Sequence, residues 1–207
     1  MKITPLFSML AIIPAISPAQ TLSFGVQGGA PVQTSLTSGG SSSIPFAVGP
    51  TIGLRLSSSL SLETGLLYNR LGKSTDNGVF LFPTESVTLL NERWRGNAIE
   101  VPLLLKYYFL NPGRTWRPFL AGGPALRRTS LELSRQTSIL SPNPLILATD
   151  NQSNSVHWNL DPEAAAGVSF RAGRAHIEPQ VRYSYWGAGK NSVIRKNQVS
   201  FLFGLRF

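Results

Sequence analysis

The chain has 207 residues, a formal net charge of +9 and no cysteine, which excludes a disulfide scaffold, zinc–thiolate sites and thiol catalysis. Only 14% of its residues are charged, well under the quarter or so usual for a soluble domain. The basic excess carries no nucleic-acid-binding motif, so it does not by itself imply a nucleic-acid partner.

Residues 1–19 read as a cleaved secretory signal peptide: a cation at Lys2, an apolar core from Leu6 to Ile16, then Ser17 and Ala19 as small residues before the cut. Pro5 and Pro14 and the shortness of the run argue against a spanning helix. One domain, residues 20–207, is expected to follow, and no later apolar stretch approaches the roughly 20 residues of a transmembrane helix.

That domain resolves into eight segments of period two. Leu22, Phe24 and Val26 share one face of the first, opposite Ser23, Gly25 and Gln27. In the second, Val48, Ile52 and Leu54 oppose Gly49, Gly53 and Arg55. Leu60, Leu62 and Tyr68 mark one face of the third, with Glu63 on the other, after a turn of three serines. The fourth sets Ile99, Val101, Leu103, Leu105, Tyr107 and Phe109 against Glu100 and Lys106. The fifth, WRPFLAGGPAL, is small and Gly-rich, and its facing is ambiguous. In the sixth, Val156, Trp158 and Leu160 oppose His157, Asp161 and Glu163. A tight RAGR turn leads into the seventh, with Ile177, Val181, Tyr183 and Tyr185 against His176, Glu178 and Arg182. The eighth, NQVSFLFGLRF, alternates down to Phe207, a hydrophobic strand where a frayed polar tail would be ordinary.

Long and short connections alternate between these segments, the long ones at one end and the short turns at the other. This predicts an all-β fold, an eight-stranded antiparallel up-and-down transmembrane β-barrel with long outer loops and short periplasmic turns. A soluble barrel would put its charges outside. Here the Gly/Ser-rich polar face is better placed inside and the apolar face on lipid, with Tyr68, Trp94, Trp158 and Tyr185 as one interfacial girdle and Tyr107, Phe109, Trp116, Phe170 and Phe207 as the other. Pro50, Pro102, Pro118, Pro124, Pro162 and Pro179 each remove a ladder donor, and those beyond Pro102 and Pro50 itself are expected to mark bulges.

IEVPLLLKYYF (99–109), RPFLAGGPAL (117–126), VRYSYWG and the closing FGLRF together resemble the bacterial outer-membrane β-barrel domain family, in its PorT-like group, related in architecture to the OmpA and OmpX barrels. The resemblance implies residence in the outer membrane of a diderm bacterium. The alternation through Phe203, Leu205 and Phe207 resembles the terminal signal read by the barrel assembly machinery, which would then be a partner.

The candidate residues follow from this geometry. Arg55, Glu63, Glu100, Lys106, Glu163, Arg171, Glu178, Arg182 and Arg206 are expected to form an interior ion network plugging the barrel, with Arg55 near Glu63 and Arg171 near Glu178 across their hairpins. Arg93, Arg95, Arg127 and Arg128 are expected on the outer rim, where forked guanidinium bonds could hold lipopolysaccharide phosphates. No metal-ligand spacing, phosphate loop or cofactor motif is present. Ser155 and His157 share a strand face and are more economically a polar rim than a nucleophile and base. The expected role is a non-enzymatic, monomeric structural or surface-interaction barrel, contacting outer-membrane lipid and lipopolysaccharide; a narrow solute channel and a lipid A-modifying enzyme are the alternatives.

Overall fold

The computed structural model describes residues 21–32, 40–41, 44–81, 87–140, 147–186 and 196–207. The expected signal peptide therefore lies outside the described residues. The elements are β1 (Leu22–Pro31), β2 (Gly40–Ser41), β3 (Phe46–Arg55), β4 (Leu60–Gly65), β5 (Leu67–Leu81), β6 (Val87–Tyr108), β7 (Trp116–Leu140), β8 (Leu147–Ala172), β9 (Ala175–Tyr185) and β10 (Asn197–Arg206). Among the described residues there is no helix.

Nine strands, β1 and β3 to β10, close into a ring, because β1 pairs with β3 on one edge and with β10 on the other. All of these pairings are antiparallel, and β2 adds a short rung on the outer part of β5. β4 and β5 are one stave interrupted at Leu66, since both pair with β3 and with β6 in an unbroken register. The ring thus has eight staves. Prolines cause the interruption: continuing the register puts Pro50 opposite Leu66 and Pro102 opposite Gly65, and neither has an N–H to give. The Leu66 amide still donates to the Pro50 carbonyl at 3.0 Å.

Pro124 and Pro179 behave alike, while Pro118 and Pro162 sit in an unbroken β7–β8 ladder. Gaps in the β6–β7 ladder at Pro124 and in the β8–β9 ladder at Pro179 leave the pairing on either side in step. The bulges expected there do not form; the register shift in the structure lies between Arg70 and Gly72.

Turn chemistry fixes the short end. The Ser57 hydroxyl accepts the amides of Ser59 (3.3 Å) and Leu60 (3.0 Å), closing the β3–β4 turn. Gly173, at φ 64°, opens the two-residue turn between β8 and β9, a backbone region that side chains with a Cβ resist.

The long end departs from expectation. The stretches between Arg70 and Ala98 and between Leu126 and Val156, expected as loops, are largely strand: β5 pairs with β6 as far as Leu81 and Val87, and β7 with β8 as far as Ile139 and Leu147. Two long hairpins project beyond the barrel wall.

Apolar side chains of every stave face outward, among them Val26, Val48, Leu103, Leu120, Leu160, Val181 and Phe203. Polar and charged ones face inward and are buried, including Gln27, Glu63, Glu100, Lys106, Arg127, Asp161, Glu178 and Arg182. β7, ambiguous by sequence, turns Arg117, Phe119, Ala121, Ala125 and Arg127 inward and Leu120 and Leu126 outward.

Candidate functional site: a charged interior sealed at its outer end

The interior holds two ion clusters joined by one arginine. In the first, nearer the short turns, Lys106 on β6 lies between Glu63 on β4 (2.5 Å) and Glu178 on β9 (3.0 Å). Arg206 on β10 pairs with the same two carboxylates, reaching Glu178 at 3.1 Å and also contacting Glu63. The Tyr108 hydroxyl donates to Glu178 at 3.3 Å.

The second cluster is centred on Arg127, whose side chain has no solvent exposure (0%). Its Nη1 meets Asp161 at 2.7 Å, and its Nη2 meets Glu100 at 2.8 Å and Glu163 at 2.9 Å. Asn69 and Ser184 donate to Glu100 and Glu163 at 3.2 and 2.8 Å. Arg182 connects the clusters, lying 3.9 Å from Glu63, 3.6 Å from Glu100 and 3.7 Å from Glu163, while donating to Gln27 at 3.0 Å. Buried charges persist only when paired and hydrogen-bonded in this way.

Above Arg127 the lining becomes apolar. Leu71, Ala98 and Leu131 form a buried cluster against which Trp94 and Trp186 pack, and the Arg127 guanidinium stacks 4.0 Å from the Trp186 ring centre. Trp94 therefore belongs to an inner cap, a correction to its expected place in the outer girdle. Its even-numbered neighbours Gly96, Ala98 and Glu100 also point inward. Voids beside the clusters measure about 30 and about 10 Å³, room for a water or two and no more. At the short-turn end, by contrast, a cavity of about 480 Å³ opens below Tyr108 and Arg117.

Of the residues expected in the network, Glu63, Glu100, Lys106, Glu163, Glu178, Arg182 and Arg206 converge there. Arg55 and Arg171 do not: their Nε groups donate to the carbonyls of Ser57 (3.3 Å) and Gly173 (3.4 Å), and both line the lower cavity. The expected Arg55–Glu63 and Arg171–Glu178 pairs fail because Lys106 and Arg206 reach those carboxylates from other staves.

Arg127 is corrected from the outer rim to the centre of the barrel. Arg93, Arg95 and Arg128 are exposed on the outside. The signal was available: Leu126 faces lipid, so Arg127 must face the interior and Arg128 lipid again. Asp161, on the inward face of its strand by the same alternation, is a network member that the candidate set lacks. Ser155 and His157 lie on one face of β8, opposite Leu131 and Thr129. Phe203, Leu205 and Phe207 point outward from β10. Among the described residues, no group of three His, Cys, Asp or Glu is arranged to hold a metal.

A closed antiparallel ring with a charged interior and an apolar exterior is a membrane-spanning β-barrel, built to satisfy every backbone group without water. The chain belongs to the outer membrane protein beta-barrel domain family, whose model matches residues 18–188, and it resides in the outer membrane. That match is to the barrel domain as such and singles out no PorT-like group. The N-terminal β-barrel domain of Pseudomonas aeruginosa OprF is similar over 91% of this chain and 96% of that one, at 14% identity and a TM-score of 0.49. Neisserial surface protein A (NspA) is similar over 90% of this chain and 97% of its own, at 17% identity and 0.42. Ail of Yersinia pestis covers 91% and 97%, at 10% identity and 0.43. A comparison with curated proteins gives no match.

Proposed function

We propose that this protein is a monomeric, non-enzymatic outer-membrane barrel whose work is done at its outer surface and hairpins, not by passage through its lumen. The observation that carries the reading is the occluded interior: two ion clusters linked by Arg182, an apolar cap above them, and voids of about 30 and about 10 Å³ beside them. Such a barrel anchors and displays. Its exposed arginines add a lipid contact. Tyr68, Ile99, Arg128 and Trp158 are successive register partners around β5, β6, β7 and β8, so Arg128 stands in the row of interfacial aromatics where lipopolysaccharide phosphates would lie. Arg93 and Arg95 face outward above it. Phe203, Leu205 and Phe207 offer the assembly machinery an apolar face on the closing strand.

Planar-bilayer recording tests the closed lumen. The folded protein is expected to give no steady conductance above the lipid baseline, and a stable solute-sized pore would overturn the reading in favour of a channel.

A further inference from the structure

The cavity at the short-turn end is basic in a way the ion network does not use. Its lining includes Arg55, Arg117, Arg171, Arg174 and Arg206, one acidic side chain, Glu178, and Phe207 at the end of the chain. Glu178 is already committed to Lys106 and Arg206. Arg117 is held by the carbonyls of Leu110 (2.8 Å) and Ser58 (2.7 Å) and stacks 4.3 Å from the Tyr108 ring centre. That leaves Arg55, Arg171 and Arg174. Among the described residues none of these pairs with a carboxylate, and the hydrogen bonds of Arg55 and Arg171 occupy only their Nε atoms.

Three guanidinium groups thus line one concave space below a network whose charges are already paired. Each keeps its forked end for an anion. The surroundings also include Leu22, Pro112 and the Tyr108 ring, so the space suits an anion with an organic body. About 480 Å³ is within the range of small-molecule sites.

We propose that this cavity binds the phosphate ester of a small alcohol such as glycerol, presented from the periplasmic side, with Arg55, Arg171 and Arg174 as its ligands. The same chemistry could reach the cavity as a soluble metabolite or as a phospholipid headgroup from the inner leaflet.

The test uses the folded full-length barrel in zwitterionic vesicles, titrated calorimetrically with glycerol phosphate. Saturable binding is expected that weakens as salt is raised, is at least tenfold weaker in Arg55→Gln/Arg171→Gln/Arg174→Gln, and is unchanged in Arg135→Gln on the hairpin at the opposite end. Arg174→Gln alone, in an exposed turn that no folding contact needs, should weaken it several-fold and covers the case in which the triple variant does not fold. Repeating the titration in vesicles containing phosphatidylglycerol separates the sources: retained binding means a soluble ester, and lost binding with phosphatidylglycerol co-purifying in an arginine-dependent manner means a headgroup. Absence of saturable binding by the parent protein in zwitterionic vesicles, or equal weakening by the Arg135 variant, would overturn the site.

Discussion

Arg127 and Arg128 are adjacent in sequence, and the pleat sends one among three carboxylates and the other to the membrane interface. Equal substitutions should therefore have unequal effects. Arg127→Gln leaves Glu100, Asp161 and Glu163 without their shared cation and should cost on the order of 3–5 kcal/mol in urea unfolding from lipid vesicles. Arg128→Gln, at an exposed position, should change stability by no more than about 0.5 kcal/mol. Equal effects would mean that the Arg127 cluster adds nothing beyond a surface charge. The two residues also mark how far the chain could be read. Alternation assigns the inward faces of the strands around Glu63, Glu100, Lys106, Glu163, Glu178, Arg182 and Arg206. On β7, where Ala, Gly and Pro occupy both faces, the same rule has no contrast to work on until Leu126. Pairings were less legible than facings, because an arginine long enough to reach its hairpin neighbour is also long enough to reach a carbonyl instead, as Arg55 and Arg171 do.

The elements extend past the membrane for a related reason. Within the wall, lipid imposes apolar-out alternation; beyond it water replaces lipid, and a sequence such as Thr129 to Arg135 keeps its backbone ladder with Leu131 buried and Glu132 exposed, the reverse of the membrane pattern. Sequence periodicity thus stops where the membrane stops, not where the strand does, and the projecting hairpins look like loops. Proline shows the converse. Pro50 and Pro102 flag a disturbance that turns out to be a missing rung with the register intact. Because residues 134–139 and 147–152 pair with one another beyond the cap residue Leu131, replacing residues 134–152 by a two-residue Asn-Gly turn should leave the barrel folded. The replacement removes the half-exposed Arg135–Glu92 pair, which is worth at most about 1 kcal/mol. The shortened protein should still migrate faster unheated than heated on a detergent gel; loss of that shift would show that the hairpin supports the wall.

For the whole molecule, the inverted arrangement of polar and apolar faces was legible before any coordinates, since apolar residues on one face of each strand and charge on the other leave few ways to satisfy both. The outward arginines carry the remaining prediction. Replacing Arg93, Arg95 and Arg128 together by Gln should lower the lipopolysaccharide that co-purifies and make what remains more salt-sensitive. The same amount retained at every ionic strength would make the rim charge incidental.

The two interior clusters also differ in when they can come into being. Arg127 finds Glu100, Asp161 and Glu163 at sequence separations of 27, 34 and 36 residues, all on β6, β7 and β8. Three consecutive strands are enough to give that set its shared arginine, and its second cation, Arg182, arrives with β9. Lys106 reaches Glu178 across 72 residues, Arg206 reaches Glu63 across 143 and Arg182 reaches Gln27 across 155, contacts that depend on bringing distant parts of the chain together. Distant partners meet late, because the loop between them must first be closed. An unfinished barrel would therefore hold the Arg127 cluster around its arginine and, below it, the adjacent-strand pairs Lys106–Glu63 and Arg206–Glu178 without the contacts that tie them together across the interior. Ring closure, rather than the arrival of any one strand, is the event that makes the lower half compatible with lipid, and until then the open sheet is better kept against water or an assembly partner than released into the bilayer.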